Sequence, residues 1–182
     1  MAVEIVFETH AITEDNERGH ATGWLPGRLS DAGRDAARAL GARRRDDGID
    51  ALFVSDLWRA VETAQIAFAD QAVPVFLDWR LRECDYGDLN GAPAAEVHGR
   101  RAERLHTPYP NGESWEQATR RVSGLLRDLP SRWDGARVLV IGHIATRWGL
   151  ERELAGVSLE ALEALEAEEF EWQAGWEYVL RP

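Results

Sequence analysis

The sequence predicts an α/β protein, a three-layer sandwich with a mostly parallel central sheet and helices on both faces. Three observations predict it. Short apolar runs alternate with longer segments of helical periodicity, the pattern of strands joined by crossover helices. The runs at 2–9 and 137–141 are apolar along most of their length, as buried strands are. Each of these two runs gives out at a histidine, His10 and His143, followed by a segment that reads as loop or helix start. In open α/β sheets the carboxyl edge of the strands is where ligands bind.

The elements follow in order. Residues 2–9 form a buried strand, and a polar, glycine-bearing loop runs from Thr13 to Gly27. Ser30 is the expected N-cap of a helix ending near Asp47-Gly48, with Ala36, Ala37, Ala39 and Leu40 as its small-residue face. Ala51–Val54 is a second strand. A helix opens at Ser55-Asp56 and continues to about Ala69. Val73–Leu77 is a third strand, with Pro74 marking its start or an edge. Residues 80–91 are an irregular charged loop, followed by a short helix before Pro108 and Pro110.

Asn111-Gly112 is a turn. Glu113 to about Trp133 is a long amphipathic helix, with Ala118, Val122, Leu125, Leu126 and Leu129 at helical spacing. After the strand at 137–141, a helix runs to about Ala155. Ser158 caps an acidic helix with Leu159, Leu162 and Leu165 facing inward. A terminal hairpin places 170–173 against 176–180 around Ala174-Gly175. With 182 residues and no long linker or repeat, residues 1–182 read as one domain with a substantial core.

Composition narrows the function. A formal charge of −11 argues against a general nucleic-acid or anionic-membrane binder, yet permits a locally positive pocket. All 21 basic residues are arginine. Without lysine there is no Schiff-base amine and no P-loop lysine. The single cysteine, Cys84, allows no intrachain disulfide and reads as a small packed thiol. No signal peptide or membrane span is visible, so the expected location is cytoplasmic. There is no Gly-x-Ser-x-Gly elbow and no metal-ligand cluster, so no metal or cofactor is expected.

Four side chains are candidates for chemistry at the sheet edge. Alone, His10 would read as a core histidine, but Asn16, Gly19 and Gly23 make its loop suited to close backbone approach. His143 precedes a helix whose free N–H groups suit an anion. Arg59 lies one turn into the helix after the second strand; the plainer reading pairs it with Glu62 or Asp56 on the surface. Glu83 sits in Leu81-Arg82-Glu83-Cys84-Asp85-Tyr86-Gly87-Asp88, beyond the third strand. A buried carboxyl there can protonate a leaving alkoxide, and Asp85 and Asp88 are its rivals.

The chain resembles the histidine phosphatase superfamily, the branch with cofactor-dependent phosphoglycerate mutases and small broad-specificity phosphatases. The resemblance rests on Thr9-His10-Ala11-Ile12-Thr13 with Asn16, Gly23-Trp24, Leu29-Ser30-Asp31-Ala32-Gly33 and Ser55-Asp56-Leu57-Trp58-Arg59-Ala60-Val61-Glu62-Thr63-Ala64. Leu81-Arg82-Glu83, Tyr86-Gly87, Gly112-Glu113-Ser114 and Gly142-His143 continue it. Each match is weak alone; their shared order and spacing are specific.

The resemblance implies a metal-independent phosphomonoesterase acting on small phosphorylated molecules. His10 would form a phosphohistidine, and Glu83 would protonate the leaving oxygen and then assist water. His143, Arg59 and Asn16 would hold the phosphoryl oxygens. Neutral imidazole is a competent nucleophile near neutral pH, and charge on the equatorial oxygens needs fixed donors.

The departures are specific. Thr9 replaces the family's first arginine, removing a bidentate clamp whose charge-assisted bonds are worth about 1.5–3 kcal/mol each; its hydroxyl can still donate once. Ala11 replaces a glycine. Ile144 and Ala145 narrow the pocket while leaving backbone N–H groups available. Arg147, one helical turn after His143, either replaces the lost charge or faces solvent. His20 is expected at the pocket rim, and His98 and His106 are expected to be exposed. Trp24, Trp58 and Trp148 lie close enough to the motifs to shape the cavity. Two alternatives stand beside the phosphatase: a weakened or inactive relative serving as an anion-binding module, and a phosphoglycerate mutase, for which the chain has little material to enclose an intermediate. A homo-oligomer is left open.

Overall fold

A computed structural model describes residues 1–167 and 175–181. The elements are β1 (Val3–Thr9), α1 (Glu14–Glu17), α2 (Asp31–Arg44), β2 (Ala51–Val54), α3 (Trp58–Ala67), β3 (Val75–Leu77), α4 (Ala94–Gly99), α5 (Trp115–Asp128), α6 (Pro130–Trp133), β4 (Arg137–Gly142), α7 (Ile144–Ala155), α8 (Leu159–Ala167) and β5 (Trp176–Leu180). The sheet order is β3-β2-β4-β1-β5. The first four strands run parallel, and β5 pairs antiparallel with β1. This is the expected three-layer α/β architecture.

Side-chain alternation along the strands divides the core. Ile5 and Phe7 of β1, with Val138 and Val140 of β4, pack against Val122, Leu125 and Leu126 of α5 and Leu150 of α7. Val6, Leu139 and Ile141 face the other way, toward Leu40 of α2 and Ala60 and Ala64 of α3. Burying one such large apolar side chain contributes about 1.5–3 kcal/mol. Both faces of β1 and β4 are therefore anchored, which holds their carboxyl ends in place. A third cluster around Tyr86, Tyr109, Trp115, Trp148, Leu159 and Leu162 packs beside this edge.

Several boundaries differ from the sequence reading. The helix expected to open at Ser55 begins at Trp58 and ends at Ala67. Ser55 stays outside it, and its hydroxyl meets a ring nitrogen of His143 instead. The long helix starts one residue after Ser114, whose hydroxyl accepts from Gln117 N while Gln117 Oε1 accepts from Ser114 N. Glu113 lies before the cap. Pro130, which has no N–H to donate, separates α5 from α6.

Val75–Leu77 is an edge strand, as Pro74 indicated. Leu159 and Leu162 of α8 are buried, but Leu165 is 62% exposed. Six residues on from Leu159, a helix has turned about 120° away from its starting face. The expected strand at 170–173 lies outside the described residues. Its predicted partner is β5, which adds to the sheet beside β1.

Candidate active site

The β1–β4 register builds the centre of the site. Thr9 stands opposite Gly142, and His10 N donates to Gly142 O at 3.0 Å. The next residues, His10 and His143, thus emerge side by side although they are 133 positions apart in the chain. Their ring centres are 5.0 Å apart with planes tilted by 53°. At that separation the two rings are in contact with one another. The open space lies alongside, in a cavity of about 370 Å³ lined by Thr9, His10, Asn16, Arg59, Glu83 and His143, among others.

Arg59 ties the two imidazoles together. It is 2% exposed, so neither Glu62 nor Asp56 holds it at the surface. Those two carboxylates pair with Arg34 and Arg82. Arg59 Nε lies 3.3 Å from His10 Nε2, and Arg59 Nη2 lies 3.3 Å from His143 Nδ1. The guanidinium also donates to Gly23 O and Leu25 O. Gly23 has φ 57°, and a Cβ there would run into the Asn90 side chain. The turn that aims this carbonyl at Arg59 therefore needs glycine. Burial lowers the Arg59 pKa to about 10, against the opposing pull of Glu83, so it remains a cation at neutral pH.

These bonds assign the tautomers. His10 Nδ1 donates to Ala11 O at 2.7 Å, which leaves Nε2 as the lone-pair nitrogen toward Arg59. His143 Nε2 donates to Ser55 Oγ at 2.8 Å, leaving Nδ1 to accept from Arg59. Burial, then the Arg59 charge, lowers the His10 pKa to about 3. Burial foremost, with Arg59 and His10 behind it, pushes His143 well below the ordinary imidazole value. Both rings are neutral at physiological pH.

Glu83 reaches the same cavity from the loop after β3. Its Oε1 accepts from Cys84 N at 2.8 Å and from Ala145 N, in the first turn of α7, at 3.2 Å. Burial raises its pKa, partly offset by those amides and by Arg59. Its own carbonyl accepts from Trp24 Nε1 and from Arg121, whose guanidinium also pairs with Glu113. Asp85 instead caps the following turn through Gly87 N and Asn90 Nδ2, and Asp88 bonds Asn111. Neither aspartate lines the cavity.

The remaining expectations sort clearly. Asn16 lines the cavity, with its Oδ1 taken by Thr13 and its Nδ2 left available. Ile144 lines it at the start of α7, while the neighbouring Ala145 amide is engaged by Glu83. His20 lies on the rim, as expected. His98 is exposed, as expected, and also borders the cavity. His106 is exposed between Glu116 and Glu160. Cys84 is buried, with its thiol pKa raised by burial.

Arg147 neither lines the cavity nor faces solvent; it pairs with Glu166 and lies over the Trp176 ring. The three tryptophans do not line the cavity either. Trp24 braces the Glu83 carbonyl, Trp58 is 45% exposed, and Trp148 is packed on Trp115. Ser55, Tyr86 and Arg101 belong to the site and were not singled out from sequence. Ser55 and Tyr86 lay inside recognised motifs without being assigned a role, the serine because its place after a strand also suited a helix cap; Arg101 lay in none. No described helix is long and apolar enough to cross a membrane, and no group of three described His, Cys, Asp or Glu residues is placed to hold a metal.

Paired neutral imidazoles on a shared guanidinium, with a buried carboxyl opposite, define a phosphoryl-transfer type of site on an α/β sheet edge. The chain belongs to the histidine phosphatase superfamily (branch 1), whose model matches residues 5–173. It is 33% identical over 177 residues to the 2,3-bisphosphoglycerate-dependent phosphoglycerate mutase of Methylobacterium sp. (strain 4-46), covering 89% of this chain and 85% of that one. Among solved structures it superposes on mycobacterial hydrolase 1 with a TM-score of 0.80 at 26% identity, covering 91% and 86% of the two chains. The mycobacterial glucosyl-3-phosphoglycerate phosphatase shares the fold, with a TM-score of 0.79 at 24% identity over 91% and 85%.

Proposed function

We propose that this chain is a phosphomonoesterase that hydrolyses small phosphorylated molecules through a phosphohistidine on His10. One observation carries the reading. His10 keeps an unprotonated Nε2 directed at the Arg59 cation, in the same cavity as a buried carboxyl of raised pKa. Arg59, Asn16 and the Ile144 amide are the donors for the phosphoryl oxygens, Thr9 adds a hydroxyl, and the neutral His143 ring, accepting from Arg59, orients that guanidinium. His10 Nε2 attacks phosphorus, the P–O ester bond breaks, and the Glu83 carboxyl gives its proton to the departing alkoxide. Glu83, now ionised, takes a proton from water as its oxygen attacks the phosphohistidine. Inorganic phosphate leaves, and both side chains return to their starting states. No metal ion is required by this sequence of steps.

Hydrolysis is favoured over transfer to a second sugar or acid because exposed His20 and His98 border the cavity, so water reaches it. The identity to a phosphoglycerate mutase supports the second reading, phosphoryl transfer between carbons of one substrate. The test is release of phosphate from p-nitrophenyl phosphate by the purified chain beside His10→Ala and Glu83→Gln. Loss of activity in His10→Ala, and a fall of about 10²–10⁴-fold in Glu83→Gln, is expected. Activity surviving in both variants overturns the assignment. Isomerisation of phosphoglycerate faster than its hydrolysis selects the mutase, and phosphate binding without turnover selects the anion-binding module.

A further inference from the structure

The motif that carries Arg59 also carries Thr63, one helical turn further along α3. The reaction steps above give Thr63 no part. The residue is fully buried. Its Oγ1 donates to Arg59 O at 2.7 Å, a bond back to the preceding turn that helical threonines commonly make. A hydroxyl has one proton, and that bond uses it. The lone pairs remain, and one of them accepts from Ala11 N at 3.0 Å. This second bond is not local. It joins α3 to the loop that follows β1, across 52 positions of sequence.

Ala11 is the residue that sets the ring of the nucleophile. Its carbonyl accepts from His10 Nδ1 at 2.7 Å, and that bond leaves Nε2 with its lone pair. The aim of the carbonyl depends on how the Ala11 backbone is held. Before it, His10 N is tied to Gly142 O; after it, Ile12 O accepts from Ser30 N at 3.1 Å. Between these anchors the Ala11 N–H is tied to Thr63. Without a hydroxyl at 63, Ala11 can turn and Nδ1 loses a fixed acceptor. The ring proton can then move to Nε2, and a neutral ring protonated there has no lone pair to attack phosphorus. Arg59 does not depend on this bond. Its backbone is held within α3, and its guanidinium is held by Gly23 O and Leu25 O.

Resting on the phosphatase reading, we infer that Thr63 is a positioning residue whose hydroxyl, through the Ala11 backbone, holds His10 in the tautomer that attacks.

The test compares full-length Thr63→Val, which keeps the shape and removes the hydroxyl, with Thr63→Ser, which keeps the hydroxyl. The ring nitrogens of His10 are read by NMR in protein carrying isotopically labelled histidine, with His10→Ala assigning the signals. The parent is expected to show a protonated Nδ1 and a bare Nε2. Thr63→Val should move the proton partly to Nε2, and Thr63→Ser should show the parent pattern. With p-nitrophenyl phosphate, kcat and kcat/KM should fall together by about 10- to 100-fold in Thr63→Val, the scale of a misplaced reacting group. The calorimetric Kd for phosphate should stay within about 3-fold, as for a group that acts on the transition state alone. A merely structural role would lower the melting temperature and leave the ring nitrogens and kcat/KM unchanged. That outcome, or a Thr63→Ser protein as impaired as Thr63→Val, overturns the inference. If Thr63→Val fails to fold, Thr63→Ala gives the same comparison. Failure of the phosphatase reading shows separately, as absent phosphate release by the unmodified protein, while the NMR measurement stands without turnover.

Discussion

Thr9 lies opposite Gly142 in the parallel β1–β4 ladder, and that one register pair delivers the imidazoles of His10 and His143 to the same point. The glycine is under steric demand. A Cβ at 142 would run into Thr146, whose hydroxyl accepts from His143 N and donates to Leu81 O. Gly142→Ala is expected to cost about 1–3 kcal/mol of stability through overpacking. It should also lower phosphatase turnover by displacing His143. Urea denaturation together with a turnover assay checks both; wild-type values in each would show that Thr146 gives way freely.

Thr9→Arg is expected to tighten the binding of phosphate and vanadate. Thr9 lines the cavity beside His10, so a guanidinium introduced there can reach the anion. One added charge-assisted bond corresponds to about a 10-fold lower Kd or more. Arg147 cannot already supply this contact, because it pairs with Glu166 and stands over Trp176. Calorimetry with orthovanadate decides it, and unchanged or weaker binding would mean that the position does not address the ligand.

The pH dependence of kcat/KM should be skewed to acid. His10 must be neutral to attack, and its pKa of about 3 places the acid limb there. Glu83 must be protonated to assist departure of the alcohol, so activity falls as pH rises through its raised pKa, above the ordinary value of 4.5. In Glu83→Gln the alkaline limb should vanish. Stability moves with the same groups. Between pH 6.5 and about 3, unfolded His10 binds a proton that the folded form does not, so stability is lost as pH falls through that window. The slope is about 1.4 kcal/mol per pH unit for such a group. Thermal denaturation of His10→Ala should decline less steeply over this range than the parent.

Glu83→Gln is expected to raise the melting temperature at neutral pH while suppressing turnover. A carboxyl whose folded pKa lies above its unfolded one binds protons in the native state, so its stabilising contribution is lost as pH rises through the folded value. A neutral amide escapes that loss, and its oxygen can still accept from Cys84 N and Ala145 N. Calorimetric scans at pH 7 and pH 4 separate the effect. The gain should be present at the first and reduced at the second.

Much of this site was legible before any coordinates. β1 and β4 were marked by apolar runs that end on histidines, and Glu83 by its place in the loop after β3. Where reading failed, the cause was competition between local signals and packing. Ser55 carries a good capping side chain, yet it serves His143. Leu165 is apolar, yet helical drift turns it to solvent. Trp148 is near His143 in sequence but packs on Trp115 behind the cavity wall.

The sequence by itself determined the order of strands and helices, the two histidines at strand ends and the acid-bearing loop, because periodicity and chain order are local properties. Only the tertiary structure decided that Arg59 bridges both imidazoles, that Arg147 turns to Glu166, and that Arg101 is buried against the Trp115 and Trp148 rings. The reason is physical: 21 arginines are chemically alike along the chain, and burial, set by distant elements packing around each one, separates a surface charge from a ligand-binding one.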